Sequence, residues 1–283
     1  MAEPLDAAAR DRWYPVALVS GLPDGQGVPT VLLERPITIT AQGKGVRVQC
    51  RDGCSLPVTL RFGHVWTSLG KPGPLFSIPE ADQAGRRLVD VGPVRVHCSP
   101  LRAIENFLDI AHFPFVHTDV LGAEPHTEVS RYVVDIREDV DEVWATQVRF
   151  YQPQAARSAA GGITTDYMYR VPAPTCAVLY KTSPPRPGEW DVIALFVQPV
   201  SPTECIVWPW MALFDHDSPV EALIQFQQMI FMQDRSVLEN QLPRLLPLDP
   251  GREIPTRADL TSVAYRRWLK GHRYFYGAQR GAA

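Results

Sequence analysis

The chain has 283 residues, of which 45% are hydrophobic and 21% are charged, and this composition is typical of a folded globular protein rather than a disordered or collagen-like one. Its net charge of -3 provides no basic surface of the kind that nucleic acids or anionic lipids require, so we expect neither as a partner. The first residues carry no basic and apolar signal, and the five cysteines are odd in number. Both features favour a cytoplasmic protein without a disulfide framework.

Residues 1–70 are predicted to form a region of short strands. Its β-branched or alternating runs are broken by glycine and proline, and they lie at residues 31–33, 37–40, 46–50 and 58–61. A run rich in proline and glycine, residues 70–74, is interpreted as a linker. Strands alone over so short a region give a marginal core, so we expect this part to pack against the rest of the chain.

Residues 85–283 are predicted to mix helices with an antiparallel sheet, which makes the fold class α+β. A first helix should begin at Ser99 and Pro100, a favourable cap and first position, and should end near His112 because Pro114 disfavours helical geometry before it. Consecutive strand-like runs separated by turns then indicate the antiparallel sheet; they cover residues 143–150, 163–171, 176–182, 191–198 and 204–214.

Two further helices are predicted after the strands. One should start at a capping box formed by Ser218 and Glu221 and should run to about Asn240. The other should cover about Arg257 to Lys270. The buried stripe that we expect on it is Leu260, Val263, Ala264 and Trp268.

The segment around the end of the first helix contains the residues that point to chemistry. Glu105, Asp109 and His112 recur at helical spacing on the face opposite the apolar stripe, with Asn106 beside them. If the chain turns after His112, then His117 can return towards it, and two converging imidazoles are what a metal site needs. The spacing of two histidines is weak evidence by itself, since a histidine is more often an ordinary polar side chain than a ligand.

The helix predicted after the strands offers a third candidate ligand. Asp234 is acidic in an apolar and amide-rich stretch, and Gln227 and Phe231 share its face. A solvent-facing role for Asp234 is about as plausible from the sequence as a ligand role. Two histidines and one carboxylate form the facial triad of non-haem Fe(II) oxygenases, although zinc accepts the same ligands.

The motif Asn106-x2-Asp109-x2-His112-x4-His117 resembles the iron-binding signature of the catalytic α-subunits of Rieske-type non-haem iron oxygenases, in particular their demethylase branch. The segments Asp234-x4-Glu239-x-Gln241 and Tyr265-Arg266-Arg267-Trp268-Leu269 resemble later helices of the same family. The resemblance implies a helix-grip (START/Bet v1-like) catalytic domain over residues 85–283. It also implies His112, His117 and Asp234 as ligands of a mononuclear Fe(II), and Asp109 as the bridge that carries electrons in from a neighbouring subunit.

The sequence departs from the family in its first region. A Rieske cluster needs two cysteines and two histidines in a fixed spacing, and neither Cys50 nor Cys54 has a histidine near it. His64 lies in a segment that resembles the family's strand after the cluster. Residues 1–70 therefore resemble a Rieske domain without its cluster-binding loops, so we expect no [2Fe-2S] cluster in this chain and ordinary thiols at Cys50 and Cys54.

Within the family, the segments Leu101-Arg102-Ala103 and Leu121-Gly122-Ala123-Glu124-Pro125-His126 resemble the Rieske-less subunit of bacterial methylxanthine N-demethylase systems. This resemblance implies that O2 hydroxylates an N-methyl group of a methylxanthine-like heterocycle, such as 7-methylxanthine, and that formaldehyde is released. NADH-derived electrons would come from a Rieske-containing reductase or a homologous Rieske oxygenase subunit, in a trimer or a mixed hetero-oligomer. Gln227 would bind the flat substrate by its amide and Phe231 by ring stacking, with Asn106 in a supporting position.

Three other interpretations stay open from the sequence. The chain could be a non-catalytic structural partner of a Rieske oxygenase, which would not need to keep Asp109 and the three candidate ligands. It could be a small-molecule binding module with an apolar cavity, or a zinc hydrolase that needs neither O2 nor a reductant.

Overall fold

The computed structural model describes residues 6–43, 45–159 and 161–279. The outermost parts of the two predicted regions, residues 1–5 and 280–283, lie outside the described residues. So do most of the N-terminal residues on which the prediction about a secretion signal rests. In the described part of the chain, no helix is both long and apolar enough to cross a membrane.

The first region contains a short helix and two small antiparallel sheets. The three-stranded sheet has the order β1-β7-β6 and the four-stranded sheet has the order β2-β3-β4-β5. All four strands predicted here are confirmed, whereas β1, β5 and β7 had not been assigned as separate strands. The elements are α1 (Ala7–Arg10), β1 (Tyr14–Leu18), β2 (Gly27–Leu32), β3 (Arg35–Gln42), β4 (Gly45–Cys50), β5 (Ser55–Leu56), β6 (Val58–Arg61) and β7 (His64–Thr67).

Cys50 and Cys54 form a disulfide, so the prediction that both are ordinary thiols is wrong. Cys50 ends β4 and Cys54 immediately precedes β5, and the turn between the two strands brings their Cα atoms to 5.2 Å, within the range that a disulfide bridges. His64 is 1% exposed and its Nδ1–H donates to the Phe62 carbonyl. Burial lowers the pKa of His64 to about 4, so this imidazole is a neutral part of an aromatic cluster.

The second region is built on one large antiparallel sheet of order β10-β11-β12-β13-β14-β15-β8, with β9 also paired to β15. Each of the five predicted strand runs lies in one of the long central strands, and the α+β class with its antiparallel sheet is confirmed. A separate parallel pair, β16 and β17, joins two short segments. The strands are β8 (Arg87–Asp90), β9 (Val94–Val96), β10 (Val133–Arg137), β11 (Glu142–Gln152), β12 (Ile163–Ala173), β13 (Cys176–Thr182), β14 (Trp190–Ser201), β15 (Glu204–Leu213), β16 (Leu246–Pro247) and β17 (Ala278–Gln279).

The helices of this region pack on the sheet and on each other. They are α2 (Pro100–Leu108), α3 (Phe113–Val116), α4 (Val220–Leu238) and α5 (Leu260–Gly271), and 3-10 turns occur at Val19–Gly21, Pro79–Asp82 and Arg257–Asp259. Leu101 and Ile104 of α2 share one buried cluster with Leu195 and Val197 of β14. Strand residues of the first region, such as Ile39, belong to the same cluster. The first region therefore packs against the rest of the chain as expected, and its identity as a Rieske remnant stays a prediction.

Helix α2 ends at Leu108 rather than near His112, so the predicted end is wrong. Ser99 caps its start as predicted, accepting the Leu101 N–H. At the other end Asp109 has extended backbone angles and its carboxylate accepts the Ala111 N–H at 2.8 Å. An aspartate side chain that accepts a hydrogen bond from the backbone N–H two residues later favours a turn over a helix. This turn ends α2 several residues before Pro114.

Two smaller predictions about the later helices are also wrong. The capping box does not form, because Ser218 donates its hydroxyl to Asp215 at 2.7 Å and Pro219 takes the cap position of α4. On α5, Leu260 and Val263 are 43% and 44% exposed, and Tyr265 is buried instead. The apolar face of α5 is thus turned relative to the predicted stripe, with Trp268 common to both.

Candidate metal centre

The turn at Asp109 sets up the first part of the site. After α2 the chain enters α3, a single helical turn whose N-cap is His112 and whose C-cap is His117. Pro114 lies in the first turn of α3, where its missing N–H costs nothing. The two histidines thus flank one helical turn, and their Nε2 atoms lie 3.1 Å apart.

Helix α4 supplies the third group. Asp234 is 8% exposed, and its Oδ1 lies 3.2 Å from His112 Nε2 and 3.0 Å from His117 Nε2. The apolar remainder of α4 is buried beside it, including Ile230 and Leu238. The packing of this helix therefore holds the carboxylate against the two imidazoles, which are more than a hundred residues away in sequence.

Both imidazoles are oriented by a hydrogen bond to the ring nitrogen that faces away from Asp234. His112 Nδ1 lies 3.2 Å from the Asp109 carboxylate, and His117 Nδ1 lies 2.8 Å from Gln233 Oε1. Each acceptor favours the tautomer with the proton on Nδ1, which leaves Nε2 with a free lone pair. This is the arrangement by which proteins present histidine to a metal ion.

The three converging atoms fit a divalent metal ion. With both protons on Nδ1, the two Nε2 atoms and Asp234 Oδ1 are all acceptors, and Asp234 Oδ1 is buried without a hydrogen-bond partner in the described part of the chain. Bonds of about 2.1 Å place two ligand atoms about 3.0 Å apart at right angles and about 3.4 Å apart at a tetrahedral angle. The observed separations of 3.0–3.2 Å lie within this range, so one ion could contact all three atoms.

The charges at the site also favour a bound cation. Burial alone would lower the pKa of His112, but the carboxylates of Asp109 and Asp234 outweigh it and raise this pKa to about 9. Burial alone would raise the pKa of Asp234, but the His112 and His117 imidazoles hold it below its usual value. A pair of carboxylates thus attracts positive charge to a largely buried position.

A cavity next to the three groups is lined by the residues expected to hold a substrate. Gln227 and Phe231 are 9% and 4% exposed and face this cavity from α4, together with Asn106 of α2. The sheet forms another wall through apolar side chains and through polar ones that the sequence analysis did not single out. These polar groups are Gln152, Tyr167, Tyr169 and Lys181.

A wider groove of about 910 Å³ opens next to Asp109. Asn106, Asp109 and His112 line it, and the Asp109 side chain is 29% exposed. Exposed apolar side chains border the same groove, notably Ile254 at 93%. Asp109 therefore lines the groove and also contacts His112, which is one of the three converging side chains.

Comparison with known proteins gives the family. Residues 96–273 match the model of the vanillate O-demethylase oxygenase C-terminal domain. The chain is 42% identical over 273 residues to the "Probable methylxanthine N7-demethylase NdmC" of Pseudomonas sp. (strain TJI-51), covering 96% of this chain and 97% of that one. The chain belongs to the Rieske-type oxygenase family. All three candidate ligands lie within the matched residues.

Solved structures of Rieske-type oxygenases share the fold. Pseudomonas putida CBB5 NdmA with caffeine matches with a TM-score of 0.74 at 20% identity, over 93% of this chain and 90% of that one. Dicamba monooxygenase bound to 3,6-dichlorosalicylic acid matches with a TM-score of 0.72 at 16% identity, over 93% and 97%. At these identities the likeness shows the fold alone. As a member of this family, the chain is an oxidoreductase.

One residue of the predicted polar face does not join the site of this Rieske-type oxygenase. Glu105 is 8% exposed and forms ion pairs with Arg102 at 2.7 Å and with Arg266. The predicted common face of Glu105, Asp109 and His112 is wrong, because α2 ends before Asp109. Gln233 is a functional candidate that the sequence analysis missed; its position directly before Asp234 is the signal that could have suggested it.

Proposed function

We propose that the chain is the oxygenase component of a multicomponent N-demethylase that acts on methylxanthines such as 7-methylxanthine. The observation that carries this proposal is the cluster of His112, His117 and Asp234, in which two imidazole nitrogens and a carboxylate oxygen lie 3.0–3.2 Å apart beside a cavity. The 42% identity to a probable methylxanthine N7-demethylase supports the substrate class. In this proposal the three residues hold mononuclear Fe(II).

The overall reaction is balanced by one dioxygen, two electrons and two protons. One oxygen atom enters a C–H bond of the N-methyl group and the other leaves as water; the resulting N-hydroxymethyl group then breaks its C–N bond to give the N–H product and formaldehyde. Ferrous iron, when bound, supplies the redox chemistry that dioxygen requires. The protein positions the methyl group, excludes water and holds the imidazoles in the tautomer that binds metal.

Gln227 and Phe231 are proposed to hold the flat heterocycle. Both face the cavity from the helix that also carries Asp234, so a ring held against them lies near the three ligands. A glutamine amide can donate to a carbonyl and accept from a ring N–H, and an aromatic ring stacks on a planar heterocycle. Asn106 lines the same cavity and supports this wall from α2.

Asp109 is proposed to be the point of electron entry. Its carboxylate contacts His112 at 3.2 Å and is exposed to the groove, so a group from another chain can reach it there. A histidine of a partner's Rieske centre, hydrogen-bonded to Asp109, would be connected to the metal site through two side chains. The charged and apolar lining of the groove suits a protein partner better than a small ligand.

The Rieske cluster is proposed to reside on that partner. In this chain Cys50 and Cys54 are bonded to each other and His64 donates to a backbone carbonyl, so these residues are engaged otherwise. We therefore propose a Rieske-containing reductase or a homologous oxygenase subunit as the donor of NADH-derived electrons. The proposal also includes a trimer or a mixed hetero-oligomer in the cytoplasm, where NADH is available. It further divides the chain into a Rieske remnant at 1–70 and a helix-grip domain at 85–283.

The proposal is tested by reconstitution under anaerobic conditions with Fe(II), followed by turnover of 7-methylxanthine in air. We expect formaldehyde and the demethylated xanthine only when NADH and a Rieske-containing reductase are both added. An exchange of Zn²⁺ for Fe(II) serves as the control and should abolish turnover. Product formation with Zn²⁺ and without a reductant would instead support a hydrolase.

A non-catalytic subunit is the second candidate, and the same preparation distinguishes it. A structural partner would bind no iron stoichiometrically and would give no formaldehyde with any methylxanthine, yet would still associate with a catalytic oxygenase. The convergence of the ligands and of the two groups that orient them favours the catalytic function.

A further inference from the structure

The polar wall of the cavity contains a lysine with no part in the proposed metal site. Strand residues alternate between the two faces of a sheet, and two alternating residues of each of β12 and β13 line the cavity: Tyr167 and Tyr169, then Leu179 and Lys181. In the antiparallel register Lys181 lies directly opposite Tyr167. Lys181 is 6% exposed, so its charge lies inside the protein.

The neighbours of Lys181 satisfy only part of its hydrogen-bonding capacity. An ammonium has three N–H donors, and that of Lys181 donates to the Ala155 carbonyl and lies 3.5 Å from Gln152 Oε1, a long contact. Asp191, its partner on β14, acts on the charge through space. The carboxylate of Asp191 is itself occupied by the Phe214 N–H at 2.9 Å.

Two hydroxyl groups on the same wall also lack partners. Tyr167 and Tyr169 are 2% and 1% exposed, and neither hydroxyl makes a well-formed hydrogen bond within the described residues, although the Gln152 side chain is close enough to the Tyr167 hydroxyl to act on its pKa. Buried polar groups without partners are costly, and native proteins satisfy them. An ammonium with spare donors and two free hydroxyls facing one cavity therefore point to a ligand with polar atoms.

The rest of the lining restricts the chemistry of that ligand. The other lining side chains are large and apolar, and they include Ile193 and Leu195 of the sheet and Phe226 and Phe231 of α4. Such walls fit a flat ring, while a cationic donor pairs with a carbonyl oxygen or with a deprotonated ring nitrogen. Methylxanthines have two ring carbonyls, at C2 and C6.

We propose that Lys181 is a specificity-determining residue that donates a hydrogen bond to a ring carbonyl of the substrate, with Gln152 and the Tyr167 hydroxyl beside it. This inference rests on the proposed function for the class of substrate. It is independent of the metal, since Lys181 contacts none of the three proposed ligands. It differs from the role of Gln227 and Phe231, which act from α4 on the other wall.

Binding of 7-methylxanthine to the Fe(II)-loaded protein without reductant tests this inference, using calorimetry on the wild type, Lys181→Met and Lys181→Gln. Met keeps most of the length of the side chain and removes the ammonium group. We expect the Kd to rise by about 10- to 100-fold in Lys181→Met, the loss of one charge-assisted hydrogen bond, and by less in Lys181→Gln, which retains a neutral donor. Lys71→Met, at an exposed lysine, is the matched control and should bind as the wild type does.

Analogues of the substrate sharpen the test. 7-Methylxanthine analogues that lack the C2 or the C6 oxygen should show which carbonyl Lys181 contacts. When the contacted oxygen is missing, the wild type and Lys181→Met should bind the analogue equally. Equal iron content in all variants shows that the fold and the metal site are retained. Unchanged affinity in Lys181→Met would overturn the role of Lys181 and leave the proposed function standing. A wild-type protein that binds iron but no methylxanthine would overturn both.

Discussion

His117 and Gln233 form a hydrogen bond of 2.8 Å between the imidazole Nδ1 and the amide Oε1. Gln233 directly precedes Asp234 on α4, so one helical turn supplies both a proposed ligand and the group that orients another ligand. Since the tautomer of a metal-binding histidine is set by the acceptor on its second nitrogen, this amide decides which nitrogen His117 presents.

Replacing Gln233 should therefore weaken metal binding without removing a ligand. We expect Gln233→Leu to lower the affinity for Fe(II) by about 10- to 100-fold, the usual effect of losing such an acceptor, whereas Gln233→Glu should keep most of it. The measurement is competition with a chelator under anaerobic conditions. Gln225→Leu, at an exposed position on the same helix, is the control, and an equal loss in both leucine variants would contradict the orienting role.

Asp109 links His112 to the groove, and a variant can separate this role from metal binding. In Asp109→Asn the side-chain oxygen can still accept the Ala111 N–H, so the turn after α2 should persist. The negative charge that connects His112 to a partner is lost. With excess Fe(II) we expect the iron content to stay near that of the wild type, although the affinity should fall because the Asn amide nitrogen cannot accept from His112 Nδ1. NADH-driven demethylation should fall by about 100-fold at equal iron content.

The control for Asp109 is an exposed carboxylate outside the groove. Asp166→Asn removes a charge that pairs with Arg149 at the surface, and turnover should stay within about twofold because such exposed pairs contribute little. Loss of iron in Asp109→Asn would show that the residue holds the metal site together rather than connecting it to a partner.

A buried ion-pair network lies under the groove and should matter for stability. Arg102 is 1% exposed and pairs with Glu105 at 2.7 Å and with Glu253 at 2.6 Å. Arg102→Met leaves Glu105 buried with less positive charge around it, and we expect a loss of about 3 kcal/mol in the free energy of unfolding. Denaturation in urea measures it. In the exposed pair of Arg149 and Asp166, Asp166→Asn should cost no more than about 0.5 kcal/mol, and a similar small effect at Arg102 would refute the network's role.

The long strands could be predicted from the sequence because the runs of β-branched and alternating residues that indicate a strand lie within the strand's own segment. The end of α2 could not, since Asp109 is compatible with a helix in sequence and only its bond to the Ala111 N–H ends the helix. That error had consequences, because it placed Glu105 on the same face as Asp109. Glu105 is instead held in ion pairs with arginines, one of which is on α5.

The candidate ligands His112, His117 and Asp234 could be proposed from the sequence because the segments that contain them resemble the family's iron-binding motifs, whereas their spacing alone was weak evidence. Lys181 has no such signal, and Gln233 has only its position directly before Asp234. An amide in a helix and a lysine in a strand are common surface residues, and what sets these two apart is which face of the fold they lie on. That depends on packing between segments far apart in sequence, as between His117 and Gln233.

The same packing makes Lys181 a source of instability. Burial lowers the pKa of Lys181 to about 8 from the usual 10.5, so between these values the unfolded chain holds a proton that the folded chain has released. Stability linked to this group therefore rises as the pH increases from 8 to 10.5, and below pH 8 the folded protein bears the full cost, about 3 kcal/mol. Asp191 and Tyr167 also face this site, and burial raises the pKa of each, so Tyr167 remains neutral over this range.

Lys181→Met should consequently be more stable than the wild type at pH 7. The gain is reduced by the lost bond to the Ala155 carbonyl, which contributes about 1.5 kcal/mol, so a net increase of about 1–2 kcal/mol is expected in the free energy of unfolding. Above pH 8 the advantage should shrink as the wild-type lysine loses its proton. Urea denaturation at pH 7 and at pH 9.5 measures this, with Lys71→Met as the control. If the only role of Lys181 were to hold the loop at Ala155, Lys181→Met would be destabilised at both pH values. A variant that is more stable but binds substrate poorly is the result expected of a residue retained for function.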